Sequence, residues 1–150
     1  VLFPYFHNKR ELFLIVDILF SNPFMSSTKK ILLVDDEPNI LVPLESLMKQ
    51  QGYEVAKASN GSEAIEQITE FQPDIIILDV MMPGETGFEV AKRIRSKPEN
   101  EAIRIIFLTA RGTSEDKLNG YANGGEVYLT KPFENENLVQ VVSEMMEYRI

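Results

Sequence analysis

An α/β protein built on a parallel sheet is the fold class this sequence predicts, and three observations predict it. From residue 31 onward, short apolar runs alternate with segments of helical period, the pattern of repeated βα units. Two of the runs, Ile31-Leu32-Leu33-Val34 and Ile75-Ile76-Ile77-Leu78, are apolar without interruption, as strands covered by helices on both faces are. The 150 residues with 44% hydrophobic content suffice for one domain with its own core and need no disulfide or structural metal.

Residues 1–24 come first and differ in character from the rest. The apolar stretch Leu12 to Phe20 follows Lys9 and Arg10 and is broken by Asp17. It is shorter than the roughly 20 residues a spanning helix needs, and no A-x-A-like cleavage site follows it. The segment therefore reads as an extension, disordered or a peripheral helix, with no membrane span. Met25 opens the domain proper, 25–150.

The strands expected after it are Ile31 to Val34, Tyr53 to Ala58, Ile75 to Leu78, Ile103 to Leu108 and Val127 to Thr130. Tyr53-Glu54-Val55-Ala56-Lys57-Ala58 alternates and carries charge, which suits a sheet edge, whereas the first and third strands should be central. Ile40, Leu41, Leu44, Leu47 and Met48 mark the apolar face of a first helix. Ala64, Ile65 and Ile68 mark a second, and Phe88, Ala91 and Ile94 a third. Leu138, Val141, Val142 and Met145 mark the last. Thr113 to Asn123 makes a weak fourth helix, with Gly120 inside it, Gly124 and Gly125 at its end, and apolar contacts expected from Leu118, Tyr121 and Ala122.

Inventory narrows the chemistry. Cysteine is absent and His7 is the single histidine, so thiol nucleophiles, disulfides and Cys/His zinc sites are excluded, and a metal here takes oxygen ligands. Acidic residues outnumber basic ones 23 to 15, and the formal charge of -8 opposes binding to nucleic acid or an anionic membrane.

In an open parallel sheet, ligands bind beyond the carboxyl ends of the strands. Strand one runs into Asp35 and Asp36, strand three into Asp79, strand four into Thr109 and strand five into Lys131. Singly, each has a plain structural explanation. Asp36 suits a cap for the helix opened by Glu37 and Pro38, Asp79 a turn through Pro83 and Gly84, Thr109 a turn hydroxyl, and Lys131 a solvated cation. Together they are harder to explain that way, because three converging carboxylates repel unless a cation neutralises them. Few carboxylates completed by water suit Mg²⁺, with Mn²⁺ the alternative hard cation. A hydroxyl and an ammonium alongside can hold phosphoryl oxygens, and an aspartate can accept the phosphoryl group itself.

Four segments then carry a resemblance: Ile31-Leu32-Leu33-Val34-Asp35-Asp36-Glu37-Pro38, Ile77-Leu78-Asp79-Val80-Met81-Met82-Pro83-Gly84, Leu108-Thr109-Ala110 and Tyr128-Leu129-Thr130-Lys131-Pro132-Phe133. In order and spacing they resemble the receiver domains of two-component response regulators, from residue 29 to about 148. The resemblance implies a flavodoxin-like (βα)5 doubly wound sheet of strand order 2-1-3-4-5. It implies Asp79 as phosphoacceptor, Asp36 as a direct Mg²⁺ ligand, Asp35 as a carboxylate acting partly through water, and the Met81 carbonyl as a further ligand. Lys131 would meet a phosphoryl oxygen, with a cis bond to Pro132, and Thr109 and Tyr128 would form a switch pair. Met81 and Arg111 would flank the acceptor and tune how fast the phosphoryl group is lost. One departure stands out: Gly124-Gly125-Glu126-Val127 occupies the place of a Gly-Ala-acidic-acidic run.

The function so implied is that of a single-domain, cytoplasmic signalling module rather than an enzyme acting on an external substrate. A histidine kinase or histidine phosphotransfer protein would supply the phosphoryl group. An effector protein would read the surface of the fourth helix, fifth strand and fifth helix. The rival reading is a phosphohydrolase acting on a small molecule through the same aspartate, for which neither a second acid or base nor a capping segment stands out. A flavin-binding module, suggested by fold analogy alone, leaves Asp35, Asp36 and Lys131 unexplained.

Overall fold

The computed structural model describes residues 28–147, so the expected extension over residues 1–24 and the domain start at Met25 lie outside the described residues. Five parallel strands form one sheet in the order β2-β1-β3-β4-β5: β1 (Lys30–Val34), β2 (Glu54–Ala58), β3 (Ile75–Leu78), β4 (Arg104–Thr109) and β5 (Val127–Thr130). This is the flavodoxin-like order that the resemblance implied. The apolar first and third runs are flanked by strands on both sides, and the charged second run is an edge.

Among the described residues, five α-helices connect and follow the strands: α1 (Pro38–Gln50), α2 (Gly61–Phe71), α3 (Gly87–Arg95), α4 (Ser114–Ala122) and α5 (Asn135–Glu147). Because side chains alternate across a strand, each strand feeds two cores. Leu32, Val34, Ile76, Leu78, Ile105 and Phe107 pack with Ala64 and Ile68 of α2 and Val90, Ala91 and Ile94 of α3. Ile31, Leu33, Ile75, Ile77, Ile106 and Leu108 pack on the other side with Leu41, Leu44 and Met48 of α1 and Leu138, Val142 and Met145 of α5. The core stripes expected for these four helices lie where periodicity put them.

Helix α4 corrects one expectation. Leu118 and Tyr121 were to supply its apolar contacts, yet they are 68% and 49% exposed, and the residues this helix buries are Asp116 and Gly120. A Cβ on Gly120 would stand 2.7 Å from the Tyr128 ring and 3.1 Å from that of Phe107. The glycine is therefore a place of close approach, where the helix backbone lies directly on the aromatic pair of β4 and β5. A capping box opens the same helix, with Thr113 accepting from the Asp116 N–H and Asp116 accepting from that of Thr113.

A short 3₁₀ turn, Pro98–Asn100, precedes β4. Arg95 binds it to the rest by donating to the carbonyls of Asn100 (3.1 Å), Ile103 (2.6 Å) and Gly124 (2.9 Å). Its guanidinium also pairs with Glu126 at 3.0 Å, and that carboxylate accepts the Ile105 N–H at 2.6 Å. The unusual Gly124-Gly125-Glu126 segment thus has a defined path into β5, held by Arg95 and by Gly125 lying against Phe107.

Candidate functional site

Parallel strands end level with one another, and at this sheet's carboxyl edge Asp35, Asp36, Asp79, Thr109 and Lys131 follow or close β1, β3, β4 and β5. One carboxylate oxygen from each of Asp35, Asp36 and Asp79 lies within 4.8 Å of the others. The sequence predicted this convergence.

The three carboxylates are not equivalent. Asp35 has both oxygens engaged: Oδ1 accepts the Glu37 N–H at 2.9 Å, and Oδ2 meets the Lys131 ammonium at 3.0 Å. Asp36 caps nothing, because the N-cap of α1 is Glu37 and makes no side-chain cap. Instead its Oδ1 is buried without a hydrogen-bond partner. Asp79, 5% exposed, accepts the Met81 N–H at 3.2 Å and lies 3.9 Å from Lys131. Burial holds its carboxyl above the ordinary aspartate range, while the Thr109 hydroxyl, then the Lys131 ammonium, pull it back.

A buried, unbonded carboxylate oxygen beside two further carboxylates is a donor set for a hard cation, and Mg²⁺ fits it. Among the described residues, Lys131 sets one positive charge against these three carboxylates. Its ammonium, expected against a phosphoryl oxygen, bonds to Asp35 here. The Lys131–Pro132 bond is cis, as the resemblance implied.

Gly87 brings the start of α3 against Asp79, since a Cβ there would collide with the Asp79 carbonyl oxygen. Thr109 is fully buried, and its hydroxyl accepts the Arg111 N–H at 3.4 Å. Tyr128, 6% exposed, lies with its ring turned inward beside Phe107 and donates its hydroxyl to the Arg111 carbonyl at 2.5 Å. Met81 is 54% exposed, and its N–H meets Asp79.

Comparison with known proteins identifies the family. The family model for the response regulator receiver domain matches residues 31–143. The chain belongs to that family. A receiver works in two-component signalling, between a histidine kinase and an effector. The phosphate regulon transcriptional regulatory protein PhoB of Rhizobium meliloti is 39% identical over 78% of this chain and 52% of its own length. The chain thus spans about half the length of that curated relative. Among solved structures, a response regulator from Chloroflexus aurantiacus is 37% identical with a TM-score of 0.77, covering 81% of this chain and 100% of its own. The response regulator TrrA of Thermotoga maritima, solved with Mg²⁺ and BeF, is 38% identical with a TM-score of 0.70, covering 79% and 99%.

Three features of the receiver's site went unread in the sequence. Gly87 was not singled out, although its place directly after Thr86, a cap residue with Glu89 three positions later, marked a helix start close to Asp79. The Lys131–Asp35 pair joins residues 96 apart, and the pair of Arg111 with Asp116 depends on a loop conformation. Neither leaves a local signal. Among the described residues, no helix is long and apolar enough to cross a membrane.

Proposed function

We propose that Asp79 accepts a phosphoryl group from a phosphohistidine on a partner kinase or phosphotransfer protein, and that the modified domain presents an altered surface to an effector. The observation that carries this reading is the Asp36 oxygen, buried and unbonded, next to Asp79. Mg²⁺, when bound, would neutralise phosphoryl oxygens and draw them toward the acceptor. Asp36, Asp79 and the Met81 carbonyl would hold it directly, and Asp35 would act through water because its own oxygens are engaged.

The chain's own groups account for the transfer. A carboxylate oxygen of Asp79 attacks phosphorus, the P–N bond to the donor imidazole breaks, and the imidazole nitrogen keeps the electron pair. Lys131, already 3.9 Å from Asp79, holds a phosphoryl oxygen, and the Thr109 hydroxyl donates to another. The work is chiefly positioning and charge stabilisation. A phosphohistidine donor implies a cytoplasmic setting beside the kinase, and the surface that changes is α4, β5 and α5.

Acetyl phosphate or phosphoramidate with Mg²⁺ should add one phosphoryl group by intact mass, and Asp79→Asn should abolish it while keeping the fold. Labelling of the Asp79→Asn protein to the same extent would end the assignment. Turnover of a phosphate-ester panel would favour the phosphohydrolase instead.

A further inference from the structure

Arg111 makes four contacts that phosphoryl transfer does not require. Its backbone N–H donates to the Thr109 hydroxyl at 3.4 Å, and its carbonyl accepts the Tyr128 hydroxyl at 2.5 Å. Its guanidinium meets Asp116 Oδ1 at 2.7 Å while lying 5.8 Å from the centre of the Phe88 ring. Asp116 in turn is buried in the first turn of α4, where its other carboxylate oxygen accepts the Thr113 hydroxyl at 2.7 Å. One residue therefore holds both Thr109 and Tyr128 on its backbone and the start of a helix on its side chain.

The geometry points to Arg111 and Asp116 as positioning residues that carry a change at Thr109 into α4. This inference rests on Asp79 being the phosphoacceptor. When the Thr109 hydroxyl turns to a phosphoryl oxygen, its contact with the Arg111 N–H is the one exposed to loss, being the longest of the hydrogen bonds and ion pairs at this junction. The backbone at Arg111 is then released on one side. It stays tied to Tyr128 by its carbonyl and to Asp116 by its side chain, so its movement pulls on both. Asp116 cannot follow without disturbing the box that caps α4. Beyond its cap, that helix is held through Gly120 on the Tyr128 and Phe107 rings, since Leu118 and Tyr121 face away from the core.

The pair is suited to this task because its partners differ in freedom. The Arg111 side chain is 45% exposed and can move, whereas that of Asp116 is 8% exposed and fixed at the helix start. A link of this kind transmits displacement only if both ends act as a unit, so removing either end should have the same effect.

Amide chemical shifts with Mg²⁺ and beryllofluoride test the link in the wild type, Arg111→Gln, Arg111→Lys, Asp116→Asn and the Arg111→Gln/Asp116→Asn double variant. In Arg111→Gln, residues 109, 110 and 128 should shift as in the wild type, while shifts over residues 114–122 should fall by at least half. Arg111→Lys should restore them, and the double variant should lose no more than either single one. Wild-type shifts over residues 114–122 in Arg111→Gln would overturn the link. Should Asp116→Asn loosen α4 at rest, the Gln and Lys variants at Arg111 decide alone, because Arg111 caps nothing. A wild type that gives no shift around Asp79 would overturn the phosphoacceptor reading and the link with it. A wild type that responds, with Arg111→Gln responding equally, overturns the link alone.

Discussion

A carboxylate oxygen that is buried and unbonded, as Asp36 Oδ1 is, costs free energy unless a cation meets it. Asp35, beside it, already has the Glu37 N–H and Lys131. Mg²⁺ affinity should therefore fall further in Asp36→Ala than in Asp35→Ala, where the loss of an outer partner costs about 10–100-fold. Isothermal titration decides the ranking, and undiminished affinity in both variants would move the metal elsewhere. Tyr128 permits a test with no metal present. Burial, then the Asp116 charge, pushes its hydroxyl up from 10.0 to about 12, so the folded state keeps a proton that the unfolded chain loses. Its contribution to stability is complete below pH 10.0 and disappears as pH rises toward about 12. Tyrosinate absorbance should show a component near pH 12 that Tyr128→Phe removes, alongside Tyr53, whose hydroxyl burial also raises. If that variant titrates like the wild type above pH 10.0, Tyr128 does not hold the proton.

Helices α1, α2, α3 and α5 were legible because each places a full apolar stripe on the sheet, and periodicity reports such stripes directly. Helix α4 was legible in its position but not in its packing. Thr113 and Asn123, the expected ends, are its caps, yet Leu118 and Tyr121 face outward because contact is made through Gly120. A missing side chain leaves nothing for a hydrophobic pattern to register. The site followed the same division: residues at strand ends were readable from order along the chain, while the partners of Asp35 and Arg111 were set by tertiary folding. Gly120→Ala tests the packing. Alanine gains about 1 kcal/mol of helix propensity, but overpacking costs about 1–3 kcal/mol, and the Tyr128 ring 2.7 Å away would have to move. Net destabilisation of about 1 kcal/mol is expected in urea unfolding. A stabilised variant would show that α4 has room to spare.

At the scale of the whole molecule, the acidic cluster sets stability against function. Burial raises the Asp79 carboxyl above the unfolded value of 3.8, so the folded state binds a proton more readily than the unfolded chain does. The stability associated with that proton is complete below pH 3.8 and is lost as pH rises through the folded value. At neutral pH without metal, the ionised carboxylate therefore weighs against folding, and Asp79→Asn should unfold at a higher temperature than the wild type. The gap should narrow as pH falls toward 3.8, where the wild-type carboxyl also becomes neutral. Mg²⁺ should narrow it by another route. A ligand at 100 times its dissociation constant stabilises the folded state by about 2.7 kcal/mol, or roughly 5–11 °C for a domain of this size. The asparagine variant, lacking one charged ligand, should gain less than that. Calorimetry in chelator and in saturating Mg²⁺ checks both arms. An Asp79→Asn protein no more stable than the wild type in chelator would mean that Lys131 and Thr109 already compensate the buried charge, and that Mg²⁺ has no electrostatic strain left to relieve.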